Sequence, residues 1–126
     1  MRDSGLLDIS DKEALFGHAS AGASYEGFVI ETLLSGAPPS CTAYFYRSGA
    51  GAEIDLLLAR ASSEIWAIEI KRSFDPRPRR GFHHACEDLQ PTRHFVAYPG
   101  TERYRVSEAV EAIPIVRLAA EIAAFV

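Results

Sequence analysis

The stretch AEIDLLLARASSEIWAIEIKRS, residues 52–73, decides the fold. It holds two strand-like apolar runs joined by the polar turn Ala61-Ser62-Ser63, and each run carries charge where a buried strand should not. Strand side chains alternate between faces, so Ile65, Ala67, Glu69 and Lys71 share one face while Trp66, Ile68 and Ile70 take the other. Both faces begin apolar, the mark of a central strand covered on both sides. Asp55 lies in the preceding run, which a hairpin places next door, roughly 5 Å away. Asp55 and Glu69 are therefore expected to converge on one point, with Lys71 beside them.

Working outward, Ala23 to Ser35 has a helical pattern, with Tyr25, Phe28, Val29, Thr32 and Leu33 as one stripe. Gly36 and Pro38-Pro39 end it. A short helix with Asp11 as N-cap is predicted at Asp11 to Phe16. The aromatic run Ala43 to Arg47 reads as a strand, and the glycine turn Ser48-Gly-Ala-Gly51 leads it into a hairpin with residues 53–60. Residues 64–72 form a third strand. A Pro- and Arg-rich loop at 73–79, a helix ending near Gln90-Pro91 and a strand at 93–98 follow. Tyr104 to Val106 and Ile113 to Leu118 are predicted as short strands, and Ala119 to Phe125 as a terminal helix. The expected fold is α/β: a three-strand meander extended by further strands into a mixed sheet, with helices on both faces.

The 126 residues suit one domain and contain neither repeat nor linker. No apolar run approaches the roughly 18 residues of a membrane span, and no signal-peptide core follows Met1. Cys41 and Cys86 match no metal spacing, so a reduced, cytoplasmic chain is expected. The net charge of −4 argues against a generally basic nucleic-acid binder. Its distribution is uneven: residues 69–94 hold six basic and four acidic side chains, net +2, including Arg77 to Arg80. Arg72, Arg77, Arg79 and Arg80 are candidate contacts to backbone phosphate, and the bland alternative is a solvated loop.

Two carboxylates held close repel, and burial raises the cost. A divalent oxygen-loving cation such as Mg²⁺ (or Mn²⁺) compensates them and keeps waters for a substrate phosphate. Lys71 would then hold a nucleophilic water or stabilise charge on a phosphoryl oxygen. The competing reading is a salt bridge at two strand ends. Lys71 is one of two lysines beside eleven arginines, which makes a lysine here less casual. Glu26 falls with Val29, Ile30 and Leu33 on the first helix, whereas Glu31 reads as surface. Gly27 costs about 1 kcal/mol against Ala in a helix, which suggests close packing on the sheet. Arg47 would clamp a phosphate or stack on Tyr44 or Tyr46. His83 and His84 point about 100° apart on a helix and read as surface, and Tyr44, Phe45, Tyr46 and Trp66 read as core.

Helix with Glu26, strand, strand with Asp55, strand with Glu69-x-Lys71, helix, strand resembles the PD-(D/E)xK nuclease superfamily and, within it, archaeal-type Holliday junction resolvases, including Arg47 at the end of the first strand. The resemblance implies a restriction-endonuclease-like core, metal ligation by Asp55, Glu69 and the carbonyl of Ile70, service of the attacking water by Lys71, and help from Glu26. It also implies a homodimer. Four blocks, RDSGLL, GASYEGFVIETLL, YFYRSGAGAEIDLLL and WAIEIKRS, resemble more closely the C-terminal domain of a family of prokaryotic AAA-type ATPases, a nuclease-like module of unassigned function that follows an ATP-binding domain and a winged-helix region. Residues 1–126 are then one such domain, with 1–21 as its N-terminal segment and the ATPase and winged-helix parts absent. The chain is expected to be a fragment, a truncated gene or a free-standing descendant. Neither lysine follows a glycine, so no phosphate loop is present, and Ile54 stands where the superfamily loosely keeps proline. The expected activity is Mg²⁺-dependent hydrolysis of DNA, with a catalytically silent docking module for nucleic acid or protein as the alternative.

Overall fold

The computed structural model describes the backbone of residues 14–18, and residues 25–60 and 64–125 in full. Among the described residues, seven strands form one mixed sheet in the order β1-β2-β3-β4-β5-β7-β6. β1 (Ala14–His18), β2 (Cys41–Ser48), β3 (Glu53–Arg60) and β4 (Glu64–Ile70) pair antiparallel in succession. β5 (Arg93–Tyr98) joins β4 in parallel, β7 (Val110–Pro114) joins β5 in parallel, and the two-residue β6 (Tyr104–Arg105) closes the edge. Helix α1 (Tyr25–Leu34) leads into β2, α2 (Arg80–Leu89) crosses from β4 to β5, and α3 (Ile115–Ala123) follows β7. This is an α/β fold with helices on both faces of a mixed sheet.

The alternation in β4 sorts the core into two layers. Trp66, Ile68 and Ile70 join Leu56 and Leu58 under Val29, Ile30 and Leu33 of α1 and Leu118 and Ile122 of α3. Ile65 and Ala67 join Leu57 and Val96 under Phe82, Ala85 and Cys86 of α2. Trp66 also stacks on Phe125, ring centroids 4.2 Å apart. Burying this much apolar side chain on both faces is what makes the charged positions of β3 and β4 costly.

Helix α2 starts where Pro76 and Pro78 leave no ladder to continue, with Arg79 extended as its N-cap residue. It ends at Gln90, which takes the left-handed conformation (φ 52°) and donates its backbone N–H to Cys86 O just before Pro91. Gly51, at φ 96°, turns the β2–β3 hairpin. No helix among the described residues is long and apolar enough to cross a membrane.

Three expectations need correction. The helix predicted at Asp11 to Phe16 overlaps β1, whose five residues pair with β2; residues 11–13 lie outside the described ones. Phe28 leaves its predicted stripe and is 64% exposed, because the buried arc of α1 runs through Gly27, Val29, Ile30 and Leu33. The strand predicted at Ile113 to Leu118 ends at Pro114, and α3 begins at Ile115. Leu118 and Ile122, four apart and fully buried, carry the helical period that residues 113–118 alone conceal.

Candidate metal and phosphate site

An irregularity in the sheet builds the site. Tyr44 pairs with Leu57 and Tyr46 with Ile54, so the single residue Phe45 of β2 faces two residues of β3, Asp55 and Leu56. Bulges of this kind re-aim a side chain and end a ladder. The β3–β4 ladder accordingly stops at Leu56 opposite Ile68. In place of the next rung, the Asp55 carboxylate turns inward and accepts the backbone N–H of Ile70 through Oδ2 at 2.9 Å.

Asp55 and Glu69 are 4% and 1% exposed and are the buried charged residues among those described. The Arg79 guanidinium spans both. Its Nε donates to Glu69 Oε2 at 2.6 Å, and its Nη2 to Asp55 Oδ2 at 3.2 Å and Oδ1 at 3.4 Å. The Arg79 backbone N–H adds a bond to Glu69 Oε1 at 3.1 Å, so the carboxylate sits at the start of α2. Burial pushes the Asp55 carboxyl up to about 7, with the neighbouring Glu26 and Glu69 charges adding to the rise. The Ile70 N–H and Arg79 pull the other way. Burial and the Glu69 charge likewise hold the Cys86 thiol up at about 12, so it is inert.

The carbonyl of Ile70 faces the same place. Lys71 N–H donates to Ala97 O on β5 at 2.9 Å. The peptide bonds of the described residues are trans, so the Ile70 C=O in that same peptide points away from β5, to the side of β3. The next parallel rung would bring the N–H of residue 99 to Lys71 O, but Pro99 has none. The Tyr25 hydroxyl donates to Lys71 O instead, at 3.4 Å, and ties the start of α1 to the end of β4. Glu26 is exposed in that first turn, on the arc of Val29 and Ile30 but past the covered sheet, close enough for its charge to act on Asp55. Asp55 and Glu69 thus meet at the carboxyl end of β4, with the Glu26 charge near enough to act on Asp55, while the Lys71 charge acts on Asp75.

The arginines divide. Arg79 belongs to the carboxylate pair. Arg77 is bound by both Asp75 oxygens, and Arg47 pairs with Glu53 at 3.2 Å on the hairpin rather than stacking as the sequence allowed. Arg72 lies over the Tyr25 ring at 5.1 Å, next to Lys71, and Arg80 is exposed at the first turn of α2. His83 and His84 are exposed. What sequence reasoning missed is that Arg79, read as a phosphate contact, closes the carboxylate pair. The signal lay in the loop length between Glu69 and the helix, not in any motif. A second unforeseen cluster, Arg93 and Arg103 with Glu111 and Glu121, ties β5 and β7 to α3 and braces the far end of the sheet.

No group of three or more His, Cys, Asp or Glu side chains gathers for a metal among the described residues. A closed tetrahedral zinc site therefore does not fit. Two buried carboxylates on the side of β4 that the Ile70 carbonyl faces do fit Mg²⁺, which takes one or two carboxylates and keeps its waters.

A family model described as a domain of unknown function, DUF4143, matches residues 21–118. The chain belongs to the DUF4143 family. The four site residues all fall inside the matched span. Uncharacterized proteins of Mycobacterium tuberculosis (Rv2008c) and Mycobacterium bovis (Mb2031c) are each 38% identical over 118 residues, which is 90% of this chain and 26% of the relative. This DUF4143 chain thus spans about a quarter of the length of the curated relatives it matches. No solved structure matches it.

Proposed function

We propose that this DUF4143 domain is a PD-(D/E)xK-type nuclease that hydrolyses phosphodiester bonds of DNA with Mg²⁺ or Mn²⁺, and that it works as a cytoplasmic module attached to an AAA-type ATPase, with a homodimer as its expected assembly. One observation carries the reading: Asp55 and Glu69 are buried together at a bulge, with Asp55 bound to the Ile70 N–H and Lys71 next along the chain. A fold gains little from burying two like charges for stability alone.

Asp55, Glu69 and the Ile70 carbonyl would hold the ion. When bound, a divalent ion neutralises phosphate charge and acidifies a water. Lys71 would hold that water in line and donate to a phosphoryl oxygen as charge develops. The bond from water oxygen to phosphorus forms as that water gives up a proton to solvent, the phosphorus–oxygen ester bond breaks, and the departing oxygen takes a proton from solvent. Glu26, at the rim, would orient the water. Arg72 and Arg80, with Arg47 and Arg77 once drawn from their carboxylates, would contact flanking phosphates.

The rival reading, a silent docking module, draws on a specific observation too: Arg79 already balances the carboxylate pair without a metal. Calorimetric titration with Mg²⁺ or Mn²⁺ separates the two. The nuclease reading expects saturable binding that Asp55→Ala/Glu69→Ala abolishes while circular dichroism stays native, and then cleavage when branched, nicked and single-stranded DNA are screened. No binding at millimolar metal by a folded wild type would sink it and leave the docking module.

A further inference from the structure

The carboxylate pair has a third member whose placement differs from that of an ordinary buried salt bridge. The Asp55 and Glu69 side chains are 2% and 1% exposed, yet Arg79, which joins them, is 56% exposed. The cation stands on the solvent side of the pair and can leave without opening the core. Its departure would not release Glu69, because the backbone N–H of Arg79 also bonds that carboxylate. That backbone is itself fixed: Pro78 precedes it, and two residues on, Gly81 lies so close to the hairpin that a Cβ there would meet Gly51 O at 2.6 Å. The guanidinium is thus a mobile charge on an immobile stem. Its planar fork reaches two carboxylates at once, which a single ammonium does less well.

Resting on the metal reading above, we propose that Arg79 is the positioning residue of this site. Its guanidinium stands in for the divalent ion between Asp55 and Glu69, and when an ion enters it turns outward to a phosphate of the bound nucleic acid. One residue thereby couples ion uptake to substrate capture. The arginine holds the pair in register while the ion is absent, competes with it for the same oxygens, and becomes a phosphate contact once displaced.

The test is Mn²⁺ titration by calorimetry on wild type, Arg79→Gln and Arg79→Lys, without DNA and in parallel with thermal melts in chelator. Arg79→Gln should bind Mn²⁺ about tenfold more tightly than wild type, within the usual range of coupling between two ligands. It should melt lower in chelator and regain more stability on adding Mn²⁺. Arg79→Lys, which keeps the charge but not the fork, should fall between, and it preserves the test if Arg79→Gln fails to fold. With Ca²⁺ in place of Mn²⁺ to prevent cleavage, Arg79→Gln should bind a short DNA duplex several-fold more weakly. A merely structural arginine would not give these opposite shifts. Equal or weaker Mn²⁺ binding by both variants, with wild type still binding, overturns the Arg79 proposal and leaves the metal site standing. Absence of Mn²⁺ binding in all three proteins overturns both.

Discussion

At the scale of the residue, Asp55 is the position where burial and charge conflict most. Burial raises its folded-state pKa to about 7 from 3.8, so ionising it works against folding. Stability from this group is full below about pH 4 and lost as the pH rises through about 7. The exposed Asp75 and half-buried Glu111 have lowered pKa values and act only at more acidic pH. His94 opposes Asp55 within the same window: burial lowers its pKa, so acid costs stability as it is forced to charge. The expected outcome is that metal-free wild type gains stability between pH 8 and pH 5 relative to Asp55→Asn, which keeps an oxygen for the Ile70 N–H but has nothing to ionise. Paired urea melts measure it, and parallel pH profiles for the two proteins would refute the assignment. Asp55→Ala should be worse than Asp55→Asn at every pH, because it orphans a buried N–H at a cost of about 1–3 kcal/mol. That Asp55 and Glu69 converge was legible in the sequence because alternation along a strand says which side chains share a face; Lys71 lies one residue past the end of β4, where that alternation no longer speaks. The role of Arg79 was not legible, since its contact to Asp55 spans 24 residues and depends on how the proline loop folds back.

Among the elements, the contact between α2 and the β2–β3 hairpin sets where Arg79 begins. Replacing glycine by alanine within a helix usually adds up to about 1 kcal/mol. At Gly81 the sign should reverse. The new Cβ would lie 2.6 Å from the backbone oxygen of Gly51, and neither partner is a flexible side-chain tip. Gly81→Ala is expected to cost about 1–3 kcal/mol, as overpacking does, and to shift the start of α2 away from the carboxylates. Chemical denaturation with Gly36→Ala as control checks it, since the nearest neighbour of a Cβ at Gly36 is the Ala123 Cβ at 3.4 Å. Equal stability of the two variants would mean that α2 does not bear on the hairpin. The elements themselves were largely legible: β3, β4, α2 and β5 follow from apolar runs and from Gly and Pro punctuation. Strand β1 was not, because a five-residue edge strand gains its identity from the partner it pairs with. The bulge at Asp55 was equally hidden, since a residue count within one strand does not reveal two residues opposite one.

Across the whole molecule, the charge map decides what a nucleic acid would feel. The chain is net −4, yet the segment from Glu69 to His94 is net +2. Much of that positive charge is spoken for within the fold: Arg77 by Asp75, Arg79 by the carboxylate pair, and Arg93 by Glu111 and Glu121. Lys71, Arg72, which lies over the Tyr25 ring, and Arg80 form no ion pair with the described residues, and Arg79 would join them if displaced. DNA binding should therefore be weak and only shallowly salt-dependent. Three to four phosphate contacts correspond to a slope of log K against log salt of about −3. Fluorescence anisotropy of Asp55→Asn with a short duplex, from 50 to 200 mM salt, would measure the slope on a protein that does not cut. A slope near −3 that flattens by about one on Arg72→Gln would place the duplex at the mouth of the site. No binding at low salt would leave these arginines as a solvated loop and shift weight to a protein partner. Such a partner is not legible in this chain, which spans about a quarter of the length of the curated relatives it matches, so a surface that would dock it has nothing here to declare its complement.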